Sequence, residues 1–214
     1  MATANSSGSA TTIDAASTLA QGEGSAAQRD RRRRILEATI ALASKGGFDA
    51  VQMRAVAERA DVALGTLYRY FPSKIHLLVS ALAAQFEQTQ EMVSRKPVPG
   101  DTPVERVIYV LKRATRGMQG DPQLTEALTR AFMFADSSVA REIHVVGMQL
   151  TGMLNRAIKG ADFVEGAEPS DEEIAVARVI SDVWLSALVS WVTGRSTAEE
   201  VGDHIETAVR LVLR

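Results

Sequence analysis

The 214-residue chain contains no cysteine. That excludes disulfide frameworks, thiolate zinc sites and thiol nucleophiles. Long hydrophobic runs are also missing. No uncharged run exceeds the 13 residues of 143–155, short of the roughly 18 needed for a spanning helix. No Lys or Arg precedes Arg29, and no apolar stretch follows as in a secretory signal. Histidine is scarce. His76, His144 and His204 have Ser73, Arg141 and Val201 three residues before them, so the paired Glu-x-x-His motif of a di-iron bundle is absent. There is no P-loop, no nucleophile elbow and no internal repeat. These absences argue against an enzyme and against a membrane protein, and the default location is the cytoplasm.

What remains is ordinary for a globular protein: 46% hydrophobic and 23% charged residues. Such a chain can bury a core without staples. The net charge of −2 hides an asymmetry. Residues 29–80 carry ten Lys/Arg and five Asp/Glu, whereas residues 81–214 carry fourteen and nineteen. A basic block on an acidic remainder suits a part that meets a polyanion. A solvated charged face fits the same numbers.

The apolar spacing is helical throughout, with no period-2 alternation, and predicts an all-α protein of about nine helices. Residues 2–28 are mostly Ala, Ser, Thr and Gly and read as a disordered tail over 1–28. Helices are predicted over 29–45, 52–60, 63–70, 73–95, 103–119, 122–134, 138–159, 171–193 and 198–213. Gly46-Gly47 stops the first. Asp121, Ser170 with Glu173, and Thr197 with Glu200 supply start signals. A boundary near residue 80 divides an N-terminal domain, 29–80, from a C-terminal one, 81–214.

Residues 53–70, MRAVAERADVALGTLYRY, satisfy the needs of a helix-turn-helix. Ala57 is small where the second helix crosses the first. Val56, Ala60, Val62 and Leu67 can lock the pair, and Asp61 tolerates the left-handed turn. The second helix then presents Leu64, Gly65, Thr66, Tyr68 and Arg69 to a major groove. Gly65 allows close approach to the backbone. Thr66, Tyr68, Tyr70 and Lys74 can donate to phosphates; Gln52, Met53 and Arg54, at the start of the first helix of the motif, are further candidate DNA contacts, with Arg54 and Arg69 for base edges or phosphates. Tyr68 and Tyr70 also fit as packing residues. Arg31, Arg32, Arg33 and Arg34 oppose the dipole at a helix start, a cost most simply offset by nearby phosphates.

The stretch FDAVQMRAVAERADVALGTLYRYFPSKIHLL, residues 48–78, resembles the DNA-binding domain of the tetracycline-repressor-like (TetR) family. GTLYRYFPSK is its most specific part. The chain departs from the family pattern at Asp61, Ala63 and Ile75. The resemblance implies a homodimer that binds double-stranded operator DNA through three N-terminal helices, with a ligand-binding and dimerisation domain behind them. The stretches KPVPGDTPVERVIYVLKRATRGMQ and RAFMFADSSVAREIH resemble one branch of that family, the mycobacterial repressors of cholesterol catabolism. That likeness implies a bulky hydrophobic effector, a steroid-derived acyl-CoA thioester, and no cofactor. A fatty acyl-CoA or a drug is the alternative.

Large or flexible apolar residues of the C-terminal half are candidates for a cavity lining: Met118, Leu128, Phe132, Met133, Phe134, Met148, Met153, Trp184, Leu188 and Trp191. Core or dimer-interface packing fits each of them as well. Arg113, Arg116 and Arg130 are candidate cations for the phosphates of such an effector. The helices over 171–193 and 198–213 are the expected dimer interface.

Overall fold

The computed structural model describes residues 10–94 and 97–213. Among them are nine α-helices, two 3₁₀ turns and no strand. The first helix, α1, spans Ala10–Ala50. Residues 10–28 are therefore helical where the composition predicts a disordered tail, while residues 1–9 lie outside the described residues. Six of residues 10–28 are alanine, the strongest helix former, and this local preference is what the low-complexity reading overlooked. The helix breaks at Gly46-Gly47. Gly47 has φ 65°, and a Cβ there would stand 2.8 Å from Glu126 Oε2, so this position requires glycine.

Helices α2 (Met53–Arg59) and α3 (Leu64–Tyr70) form the expected helix-turn-helix. Asp61 takes φ 53°. Its N–H bonds to Glu58 O and the Val62 N–H to Ala57 O, at 3.2 and 3.0 Å. This pair of bonds is the Schellman closure, and it lets Asp61 do what glycine usually does. Val56, Ala57, Ala60 and Leu67 are buried and lock the two helices. Ala63, at the N-cap of α3, makes no side-chain capping bond.

Helix α4 (Lys74–Ser94) runs from this motif into the rest of the molecule. His76 anchors its start. Nδ1 lies 2.9 Å from Ser73 Oγ, and Nε2 lies 3.1 Å from Ser138 O. A carbonyl only accepts, so Nε2 carries the proton. Leu77, Leu78, Val79 and Ala81 are fully buried, which makes α4 the shared core of both parts.

The body contains α5 (Pro103–Gln119), α6 (Pro122–Met133), α7 (Ala140–Lys159), α8 (Asp171–Val192) and α9 (Ala198–Val212). Capping boxes close the starts of α8 and α9 as expected, and a third, Thr102 with Glu105, opens α5. Asp121 caps α6 through the Leu124 N–H. Helices α8 and α9 pack side by side, and α5 packs across α9 and α7. By length and composition α8 could cross a membrane, although Arg178 and Asp182 interrupt it. The uncharged-run reading does not find it for that reason. Ala177, Ile180, Trp184 and Leu188 on α8 are core.

Candidate nucleic-acid interface and cavity

On α3 the phase of Leu67, which faces the core, turns Gly65, Tyr68 and Arg69 outward. Tyr68 remains 46% exposed although it is aromatic, which a packing role would not leave. Space around Gly65 is open, with no atom within 4 Å of a built Cβ. Packing therefore does not demand glycine there. Thr66 is half-buried and Arg54 exposed. Met53, Leu64 and Tyr70 are partly buried against the core, so these three support the surface as much as they form it. Gln52 bonds to the nearby Asp49 O at 2.9 Å and remains exposed.

The four arginines separate. Arg33 pairs with Asp30 and Glu37, each at 2.6 Å. The Arg33 hydrogen bond holds the Asp30 carboxyl below its ordinary range. Arg34 donates to Ala60 O at 2.8 Å, capping the C-terminus of α2. It is a brace for the motif, and its partner 26 positions away is invisible to sequence spacing. Arg32 lies 5.6 Å from the Phe71 ring. Arg31 is half-buried. Lys74 sits 3.8 Å above the Phe48 ring centroid, and partial burial draws its pKa below the ordinary lysine value.

Behind this surface lies a cavity of about 500 Å³ between α4, α5 and α6. Leu82, Gln85, Phe86 and Thr89 supply its α4 wall, an i, i+3, i+4, i+7 stripe. Met118 and Leu128 line it with Leu124, and Arg113 and Arg116 stand at its edge. A smaller apolar chamber of about 70 Å³ shares Leu82, Phe86 and Met118 and continues to Phe132, Trp184 and Leu188. The Trp184 ring meets Phe86 edge-on at 5.9 Å.

Six expected members of the lining are elsewhere. Met133 and Phe134 are 53% and 68% exposed, because α6 ends there and its inward face closes at Phe132. Met148 shares the outer face of α7 with Arg141, His144 and Val145. Met153 is buried in the core without reaching the cavity. Trp191 borders a separate cleft with Gly47, Phe48 and Glu126. Arg130 faces away from the cavity, pairing with Glu126 and Asp49 at 3.5 and 3.7 Å and lying 4.5 Å over Phe48. The polar members Gln85, Thr89, Asp121 and Thr125 were missed. Their signal was the helical phase they share with Leu82 and Leu128.

Residues 35–81 match the family described as bacterial regulatory proteins, tetR family, and residues 100–212 match the tetracyclin repressor-like C-terminal domain. The chain is 56% identical over 209 residues to the HTH-type transcriptional repressor KstR of Rhodococcus jostii, covering 97% of this chain and 95% of that protein. A crystal structure of a TetR transcriptional regulator from Rhodococcus sp. RHA1 superimposes with TM-score 0.78 at 32% identity, over 87% of this chain and 97% of the other. Thermus thermophilus FadR, a TetR family repressor in complex with lauroyl-CoA, shares the fold. Its TM-score is 0.64 at 20% identity, over 85% of this chain and 93% of that one.

Proposed function

The chain belongs to the tetR family of bacterial regulatory proteins, and on that footing we propose that it is a ligand-responsive transcriptional repressor. It binds a palindromic operator as a homodimer and leaves it when a steroid-derived acyl-CoA thioester fills the cavity. It acts in the cytoplasm on genes of sterol breakdown. The observation that carries this reading is the double use of α4. Its first turn abuts the helix-turn-helix, while Leu82, Gln85, Phe86 and Thr89 form a cavity wall. One rigid element thus touches both sites.

The pieces have stated roles. Gly65, Thr66, Tyr68 and Arg69 meet the major groove, and Lys74 and Arg54 meet phosphates. The apolar cavity takes the hydrophobic part of the effector. Arg113 and Arg116 attract its phosphates. A volume of about 500 Å³ lies within the roughly 300–1,000 Å³ of small-molecule sites. The 56% identity to KstR supports a repressor of sterol genes, and the lauroyl-CoA complex of the FadR relative supports an acyl-CoA in this fold.

For the dimer, only 28% of the apolar α8 window is buried within one chain. Val179 on α8 and Leu211 on α9 are 49% and 57% exposed. A second copy packed on α8 and α9 would cover them and set two reading heads about one DNA turn apart. Release from the operator then follows from linkage. An effector that favours mis-spaced heads must lower DNA affinity by the same factor by which DNA lowers effector affinity.

The test is a titration of duplex DNA selected by the protein from a random pool, with and without a steroid acyl-CoA, a long-chain fatty acyl-CoA or free coenzyme A. Release by the steroid thioester alone supports the proposal. Release by the fatty acyl-CoA alone would shift the effector class, and release by none would overturn it.

A further inference from the structure

Helix α6 has two faces with different tasks. Asp121, Leu124, Thr125 and Leu128 line the cavity. Gln123, Glu126 and Arg130 face the turn at the Gly46-Gly47 break near the end of α1, which leads on to α2. That turn is built onto α6. Glu126 Oε2 accepts the Phe48 N–H at 2.9 Å, across 78 positions of chain. The same carboxylate faces Gly47, and a Cβ there would lie within 2.8 Å of it and 3.0 Å of Gln123 Oε1. Arg130 holds Glu126 from one side, reaches Asp49 on the turn, and covers the Phe48 ring whose other neighbour is Lys74. No other helix pair in the described residues is packed as extensively as α1 and α6.

We infer that Glu126, held by Arg130, is the positioning residue that couples the cavity to the reading head. The route runs from Leu124 and Leu128, through the body of α6, to the backbone of Gly47 and Phe48, and from the turn into α2. It is separate from the covalent route through α4. A helix held by its own backbone hydrogen bonds moves as a unit, so displacing the face on a filled cavity carries the opposite face with it, and the close-packed interior around it transmits the displacement. The Phe48 amide is the point where that displacement meets the head. The mechanism rests on the cavity being a regulatory site, but not on which effector fills it.

The absence of cysteine makes a direct test possible. Ala114, on the cavity wall, is changed to Cys and loaded with N-cyclohexylmaleimide, which occupies the cavity whatever the natural effector is. Two quantities are read against the unlabelled variant: hydrogen exchange of the Phe48 amide, and affinity for the selected duplex. Labelling is expected to speed Phe48 exchange and weaken DNA binding by about tenfold or more, within the usual range of coupling factors. With Glu126→Ala added, the labelling effect on DNA is expected to fall below about twofold. Glu126→Gln, whose amide oxygen still accepts from Phe48, is expected to retain it. A merely structural role would lower stability in Glu126→Ala and leave the coupling factor intact. The inference is overturned if labelling leaves Phe48 exchange unchanged, or if DNA affinity falls by the same factor with and without Glu126. Neither outcome depends on the acyl-CoA titration, so failure of the effector assignment stays distinguishable.

Discussion

The Trp184 indole N–H donates to Thr115 Oγ1 at 2.9 Å, joining α8 to α5 beside the inner chamber. Both residues are nearly inaccessible, at 2% and 3% exposure. The bond satisfies the donor of the largest side chain that lines the chamber. Thr115→Val keeps the shape and removes the acceptor. The cost of leaving a buried donor unpaired is about 1–3 kcal/mol. Urea unfolding should show that loss with an unchanged m-value. An unchanged midpoint would mean that the indole finds another partner.

Two glycines separate conformational need from surface need. Gly47→Ala should destabilise the fold by about 1–3 kcal/mol, since φ 65° is a strained region for a Cβ and Glu126 blocks the space. Gly65→Ala should keep or raise stability, by up to about 1 kcal/mol, because its site is helical and open. Its DNA affinity should nevertheless fall. Thermal melts and DNA titrations on both variants check this. A Gly65→Ala protein that binds DNA normally would remove α3 from close backbone contact.

Tyr68→Ala and Lys74→Ala should both weaken duplex binding. Only Lys74→Ala should also reduce the slope of log affinity against log salt, by about 0.9 for one phosphate contact. Lys74 lies over the Phe48 ring, so its loss also alters the α6 junction. Measuring the slope across a salt series separates the two effects. An unchanged slope would assign Lys74 to the junction alone.

Acid should weaken the fold through its helix caps. The carboxyls of Glu105, Glu173 and Glu200 titrate below the ordinary value of 4.5. For Glu105 and Glu200 the main cause is backbone N–H donation at the cap, whereas for Glu173 it is the Lys159 ion pair, with the Ser170 N–H second. The folded pKa is thus lower than the unfolded one. Above about pH 4.5 both states are ionised and the stabilisation is complete. As pH falls through 4.5 the unfolded chain takes up protons first, and stability declines until the folded carboxyls protonate too. Urea midpoints should therefore be level from pH 7 to about 5.5 and drop below 4.5. Replacing all three by Gln should flatten that drop. An equal drop in the triple variant would place the acid sensitivity elsewhere, as at Glu206 between Lys112 and Arg210.

The amino-acid sequence by itself determined the helices from α2 onward, their starts and stops to within a residue or two, and the helix-turn-helix, but not the start of α1. Those features rest on interactions within about four residues: the phase of apolar side chains, a cap reaching the third N–H, and a residue that tolerates the left-handed turn. Ser170 with Glu173, Thr197 with Glu200, and Asp61 are of this kind, and each is found where local chemistry puts it. Tertiary structure alone decided which apolar residues face the cavity and which cations are already engaged. Phe132 and Met133 are neighbours in sequence, yet one lines a chamber and the other lies open to solvent. Arg113 stands at the cavity edge, whereas Arg130, on the next helix, is held at Glu126 and Asp49. The reason is physical. Helical phase fixes directions relative to one axis, but what a direction meets depends on how the other helices pack around it.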